Sequence, residues 1–167
     1  MIRTIGLWIV VVALCAAPAA WAQNSAKSIK ATLSGGNEVP AVSSTGTGEI
    51  RITVAADEQS FSYDLTYSGL EGTALFAHIH LGQEGVNGGV IVFLCGGGGK
   101  PVCPASGTVT GTVVAADVIG PVGQGIAAGE LAEALAAMRA GLTYANVHTT
   151  KHPGGEIRGQ LKDPAGN

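Results

Sequence analysis

The sequence predicts an all-β chain, an antiparallel sandwich or barrel with one short helix. Apolar and polar residues alternate in run after run, turn-forming clusters separate the runs, and only one stretch has helical spacing. Alternation with a period of two marks a strand with one buried face. Short strands divided by glycine-rich turns build sandwiches and barrels.

In order along the chain, residues 1–22 come first and stand apart. Arg3 precedes an apolar run from Ile5 to Ala17, and Ala20-Trp21-Ala22 ends the segment. A basic start, a short apolar core and a small-x-small end describe a secretory signal peptide. Pro18 interrupts the run before it reaches the roughly 20 residues of a membrane-spanning helix. Leu14 before Cys15 argues against a lipid anchor. Cleavage after Ala22 leaves residues 23–167 as one exported domain, secreted or periplasmic, with no span. Loss of Arg3 makes that chain one charge more negative than the formal −3 of the whole. An acidic balance gives no electrostatic footprint for nucleic acid and no polybasic segment for an anionic membrane.

Three alternating runs follow. Ile29, Ala31 and Leu33 form the first, Ile50, Ile52 and Val54 the second, and Phe61, Tyr63, Leu65 and Tyr67 the third. Gly35-Gly36-Asn37, Asp57-Glu58-Gln59 and Ser68-Gly69 supply the turns. Further strands are expected at 73–80, 89–94, 107–115, 142–149 and 155–162. Between Glu130 and Arg139, Leu131, Leu135 and Met138 fall on one helical face, the alanines between them favour helix, and Gly141 ends it. This helix is expected to plug one end of the sandwich. Residues 117–129 read as a loop. The glycines at 96–99 lack the Gly-Lys-Ser/Thr ending of a phosphate loop.

Cys95 and Cys103 remain after export, and an even count in an oxidising compartment favours a disulfide. A ring this small stabilises by roughly 2–3 kcal/mol. Metal ligation by the two thiols is the alternative.

All four histidines fall in two clusters. His78 and His80 lie inside one expected strand, so their imidazoles share a face while Ala77, Ile79 and Leu81 point into the core. Neutral imidazole ligates zinc, copper and nickel. His148 on a late strand is the candidate third ligand, and Asn146 on the same face is placed to orient an imidazole. His152, before Pro153-Gly154-Gly155, is either a fourth ligand or solvent-exposed. Against the metal stands the alternative that these rings only hydrogen-bond to backbone or carboxylate. No serine or threonine has a motif placing it beside a histidine and an acid.

Four segments have a wider resemblance. Ser34–Val42 (SGGNEVPAV), Ala77–Gly82 (AHIHLG), Gly85–Val90 (GVNGGV) and Tyr144–Leu161 (YANVHTTKHPGGEIRGQL) match in order and spacing the CHRD domain, named for its occurrence in chordin. The chain resembles a single-domain bacterial member over residues 28–162. The resemblance implies an extracellular immunoglobulin-like or superoxide-dismutase-like Greek-key sandwich. In chordin such domains belong to a large protein that binds growth factors, whereas single-domain bacterial members generally have no established activity. His78 and His80 are similar to the His-x-His copper ligands of copper/zinc dismutases, and Arg158 to the arginine that attracts their anionic substrate. A binuclear site needs more histidines than the chain contains. Glu38 or Glu156 is expected to pair with Arg158, and Glu156 and Arg158 share a face at i and i+2. Two functions follow: a non-enzymatic exported module holding copper or zinc, or a protein or polysaccharide partner, and a small copper-dependent redox enzyme.

Overall fold

The computed structural model describes residues 28–163, and the expected leader lies outside the described residues. The strands are β1 (Ser28–Ser34), β2 (Thr47–Val54), β3 (Ser60–Ser68), β4 (Ala74–Leu81), β5 (Val90–Cys95), β6 (Gly107–Val114), β7 (Thr143–Thr149) and β8 (Ile157–Gln160). One helix, α1 (Leu131–Arg139), lies between β6 and β7. No helix among the described residues is long and apolar enough to cross a membrane.

The strands form one antiparallel sheet in the order β5-β4-β7-β8-β1-β2-β3-β6. Its two end strands, β5 and β6, approach each other, so the sheet curls almost into a barrel. Across that seam β4, β5 and β6 are successive neighbours and β7 lies beside β4, a Greek key. The expected all-β fold with one short helix is therefore present.

The first three strands obey their alternation. Ile29, Leu33, Ile50, Ile52, Phe61, Tyr63 and Leu65 are buried, while the residues between them are largely exposed. Register places Ile29 opposite Ile52 and Ile50 opposite Leu65, so the apolar face is continuous across the ladder. Burying each such side chain stabilises by about 1.5–3 kcal/mol. Two tyrosines cross the interior with satisfied hydroxyls: Tyr63 donates to Leu94 O at 2.7 Å and Tyr67 to Pro104 O at 2.6 Å. Helix α1 adds Leu131, Ala134, Leu135 and Met138 to the same core. The Gly141 N–H closes the helix on Met138 O at 3.1 Å. Within the expected loop 117–129, residues Val122–Gln124 form a 3-10 turn. Cys95 and Cys103 form a disulfide, so the thiols are not metal ligands.

In β4, β7 and β8 alternation fails. Five of the seven residues of β7 are buried in succession from Thr143 to Val147, and Ile157, Arg158 and Gly159 are buried in β8. The outer face here is roofed by two loops, residues 35–40 and 82–89. Asn87 Nδ2 donates to Val39 O at 2.8 Å and ties one loop to the other.

Candidate metal centre

The histidines meet under this roof. Strand β4 buries Ala77 and Ile79 inside the sandwich and so turns His78 and His80 to the outer face. Antiparallel pairing with β7 sets His78 opposite Asn146, His80 opposite Tyr144 and Phe76 opposite His148. One nitrogen from each of His78, His80 and His148 lies within 4.8 Å of the others. The ring centroids are 4.9 Å apart for His78 and His148, 5.3 Å for His78 and His80, and 6.2 Å for His80 and His148. Aromatic rings wall the trio. Phe93 meets His78 edge-on at 4.3 Å, and Tyr144 stacks on His80 at 4.7 Å.

Hydrogen bonds decide which nitrogens are free. His80 Nδ1 lies 2.9 Å from Gly88 O, and His148 Nδ1 lies 2.8 Å from Pro153 O. A carbonyl only accepts, so both rings carry their proton on Nδ1 and keep a lone pair on Nε2. His80 Nε2 and both nitrogens of His78 are buried with no hydrogen-bond partner. Gly88 is required where it stands, because a Cβ there would lie 1.6 Å from Leu81 O.

Burial keeps the imidazoles neutral. It drives His78 down to about 3, and the charges of His148 and His80 act in the same direction. It drives His80 down to about 4, although the Gly88 carbonyl opposes the shift. His148 is lowered by burial against the pull of Pro153 O. Neutral, unprotonated nitrogens are what a metal ion requires. An ion bound at 2.0–2.1 Å with tetrahedral angles holds its nitrogens about 3.4 Å apart, so a trio spread within 4.8 Å must draw in to bind it.

The remaining expected residues take other places. His152 is not in the cluster: it follows the end of β7, and its Nε2 faces Glu71 Oε2 at 3.5 Å. Glu156 does not pair with Arg158. Its carboxylate accepts from Ser44 Oγ at 2.7 Å, from the Glu71 backbone N–H at 2.6 Å and from Thr149 Oγ1 at 2.6 Å. Burial works against its charge, but these bonds hold its pKa below the usual value. Arg158 is 2 % exposed. It lies 3.4 Å over the Tyr144 ring and donates to Asn87 Oδ1 at 2.9 Å and Val86 O at 2.7 Å. Through these bonds the guanidinium fastens the loop that carries Gly88.

Asn146 stands at the centre, with Oδ1 3.1 Å from His148 Nε2. Glu38, 6 % exposed, completes the group. Burial raises its pKa to about 7, against the charge of Arg158, the Val39 backbone N–H and the Asn146 amide. Gly155, at φ +126°, leaves room for it, since a Cβ would meet Glu38 Oε1 at 2.3 Å. Phe93, Tyr144 and the two carbonyl acceptors carry no metal-site signal in one dimension; only the Gly88-Gly89 pair hints at a close backbone approach.

A family model described as CHRD domain matches residues 29–161. No curated protein and no solved structure matches the chain.

Proposed function

The chain belongs to the CHRD domain family, and we propose that it is an exported, non-enzymatic module holding one copper or zinc ion at His78, His80 and His148. One observation carries this most: three buried imidazole nitrogens, on His78 and His80, have no partner. A buried polar atom left unpaired costs about 1–3 kcal/mol. An ion at the convergence of three neutral imidazoles removes that cost for one nitrogen of His78 and for His80 Nε2, and is a chemically matched guest. Asn146 and Arg158 position the trio, and Glu156 braces the neighbouring loops. The leader-like residues 1–22 and the Cys95–Cys103 disulfide support an oxidising, extracytoplasmic setting.

A three-histidine site leaves a coordination position open, which supports the second reading, a small copper-dependent redox enzyme. Untagged protein of residues 23–167, studied by elemental analysis and by copper and zinc titration, tests both. About one equivalent of metal, lost in His78→Ala and His148→Ala, is the expected result. No specific binding to the parent protein would end both metal readings and direct the search to protein or polysaccharide partners. Superoxide turnover by the copper-loaded protein would favour the enzyme.

A further inference from the structure

The contact between Asn146 and His148 is chemically incomplete. His148 spends its ring proton on Pro153 O at 2.8 Å, so the Nε2 that faces Asn146 Oδ1 at 3.1 Å holds a lone pair. The amide oxygen holds lone pairs too. Two acceptors directed at each other at this distance repel unless a cation lies between them. The amide also faces the Glu38 carboxyl, where it favours the charged form, and the His80 ring, where it favours protonation. Register places Asn146 directly across from His78 and diagonal to His80, on the face it shares with His148. The Asn146 side chain therefore shares its face with all three imidazoles.

A second proton on His148 would also complete the contact, but it would place an imidazolium beside His78 and His80, whose orphaned nitrogens it would leave unpaired. A metal ion completes the Asn146 contact and takes up one orphaned nitrogen each from His78 and His80. Two donors bound side by side at 2.0–2.1 Å from one ion stand roughly 3 Å apart, the separation found here between Oδ1 and Nε2.

We infer that Asn146 Oδ1 is the fourth donor of the site, completing a three-nitrogen, one-oxygen set that takes a divalent ion, Cu2+ or Zn2+, in preference to Cu+. The inference rests on the three-histidine reading and deepens it. An amide oxygen is a hard donor, suited to a divalent ion and of little use to the soft cuprous ion. If Asn146 merely oriented His148, its loss would weaken all three ions alike.

The test titrates Cu2+, Zn2+ and Cu+, the last against a cuprous chelator, into the parent protein, Asn146→Ala and the near-isosteric Asn146→Asp. Thermal melting checks that each variant is folded. Asn146→Ala is expected to weaken Cu2+ and Zn2+ about 10- to 100-fold, to change the Cu2+ electron paramagnetic resonance parameters, and to leave Cu+ affinity unaltered. Asn146→Asp is expected to strengthen the divalent ions and leave Cu+ in place. Parent protein that binds none of the ions overturns the histidine site itself. Parent protein that binds metal, with variants that shift all three ions equally or not at all, overturns only the fourth donor.

Discussion

The two halves of the curled sheet bury their chains by different means. In β1, β2 and β3 one face is apolar and buried and the other is wet, with Lys30, Thr32, Arg51, Asp64 and Thr66 turned outward. In β4, β7 and β8 both faces are covered. The buried polar residues among those described, Glu38, His78, His80, Thr143, Asn146, Thr149, Glu156 and Arg158, all belong to this second half or to its roof. The first half rests mainly on apolar burial, with the hydroxyls of Tyr63 and Tyr67 satisfied by backbone carbonyls. The second half encloses polar atoms that need partners, and among those left unpaired are His80 Nε2 and both nitrogens of His78. Stability and chemistry are thus divided between halves of one sheet.

Arg158→Leu should break the roofed half most severely. It removes a buried guanidinium and leaves Asn87 Oδ1 and Val86 O without their donor, a loss of about 2–4 kcal/mol. The loop carrying Gly88 O should loosen with it, so metal affinity should fall alongside the thermal midpoint. A lowered midpoint with unchanged affinity would show that this loop does not position His80.

Acid should expose the same half next. Unfolded imidazoles titrate near 6.5, whereas His78 and His80 are held to about 3 and about 4. Below pH 6.5 the unfolded chain binds more protons, and stability falls as pH falls. Glu38 works in the opposite sense. Its folded value of about 7 lies above the ordinary 4.5, so its contribution is full below pH 4.5 and is lost as pH rises through 7. The histidines outnumber it. The metal-free protein should lose roughly 1–3 kcal/mol between pH 6.5 and 5, read from urea midpoints. Stability that stays level or rises on acidification would mean that the imidazoles are not buried as neutral rings.

On the wet half the effect should nearly vanish. Arg51 lies exposed opposite Asp64 and reaches Ser28 Oγ only at 3.5 Å. Arg51→Ala should shift the urea midpoint by no more than about 0.5 kcal/mol equivalent. A larger loss would erase the contrast between the halves.

Legibility followed the same division. Ile29 to Leu33, Ile50 to Val54 and Phe61 to Tyr67 declare their strands because a half-buried strand must alternate. Leu131, Leu135 and Met138 declare α1 because a helix must repeat near 3.6 residues. The late strand was expected from residue 155 but begins at Ile157; the Glu156 N–H still donates to Val147 O at 2.8 Å, while its side chain is taken by Ser44 and Thr149. Glu156 and Arg158 were expected as a pair from their i, i+2 spacing, yet spacing along one strand says nothing of the loops that take each side chain first.

For the site, period two was enough to put His78 and His80 on one face and Asn146 with His148 on another, and two cysteines in an even count were enough to indicate a bridge. Those are local properties of the chain. That the two faces are one face depends on β4 pairing with β7 across more than sixty residues of sequence, in the register that sets His78 opposite Asn146. The proton positions on His80 and His148 depend on carbonyls from loops, and the exclusion of His152 depends on where the chain turns after β7. Backbone pairing and the packing of distant loops are non-local, and only the tertiary structure could decide them.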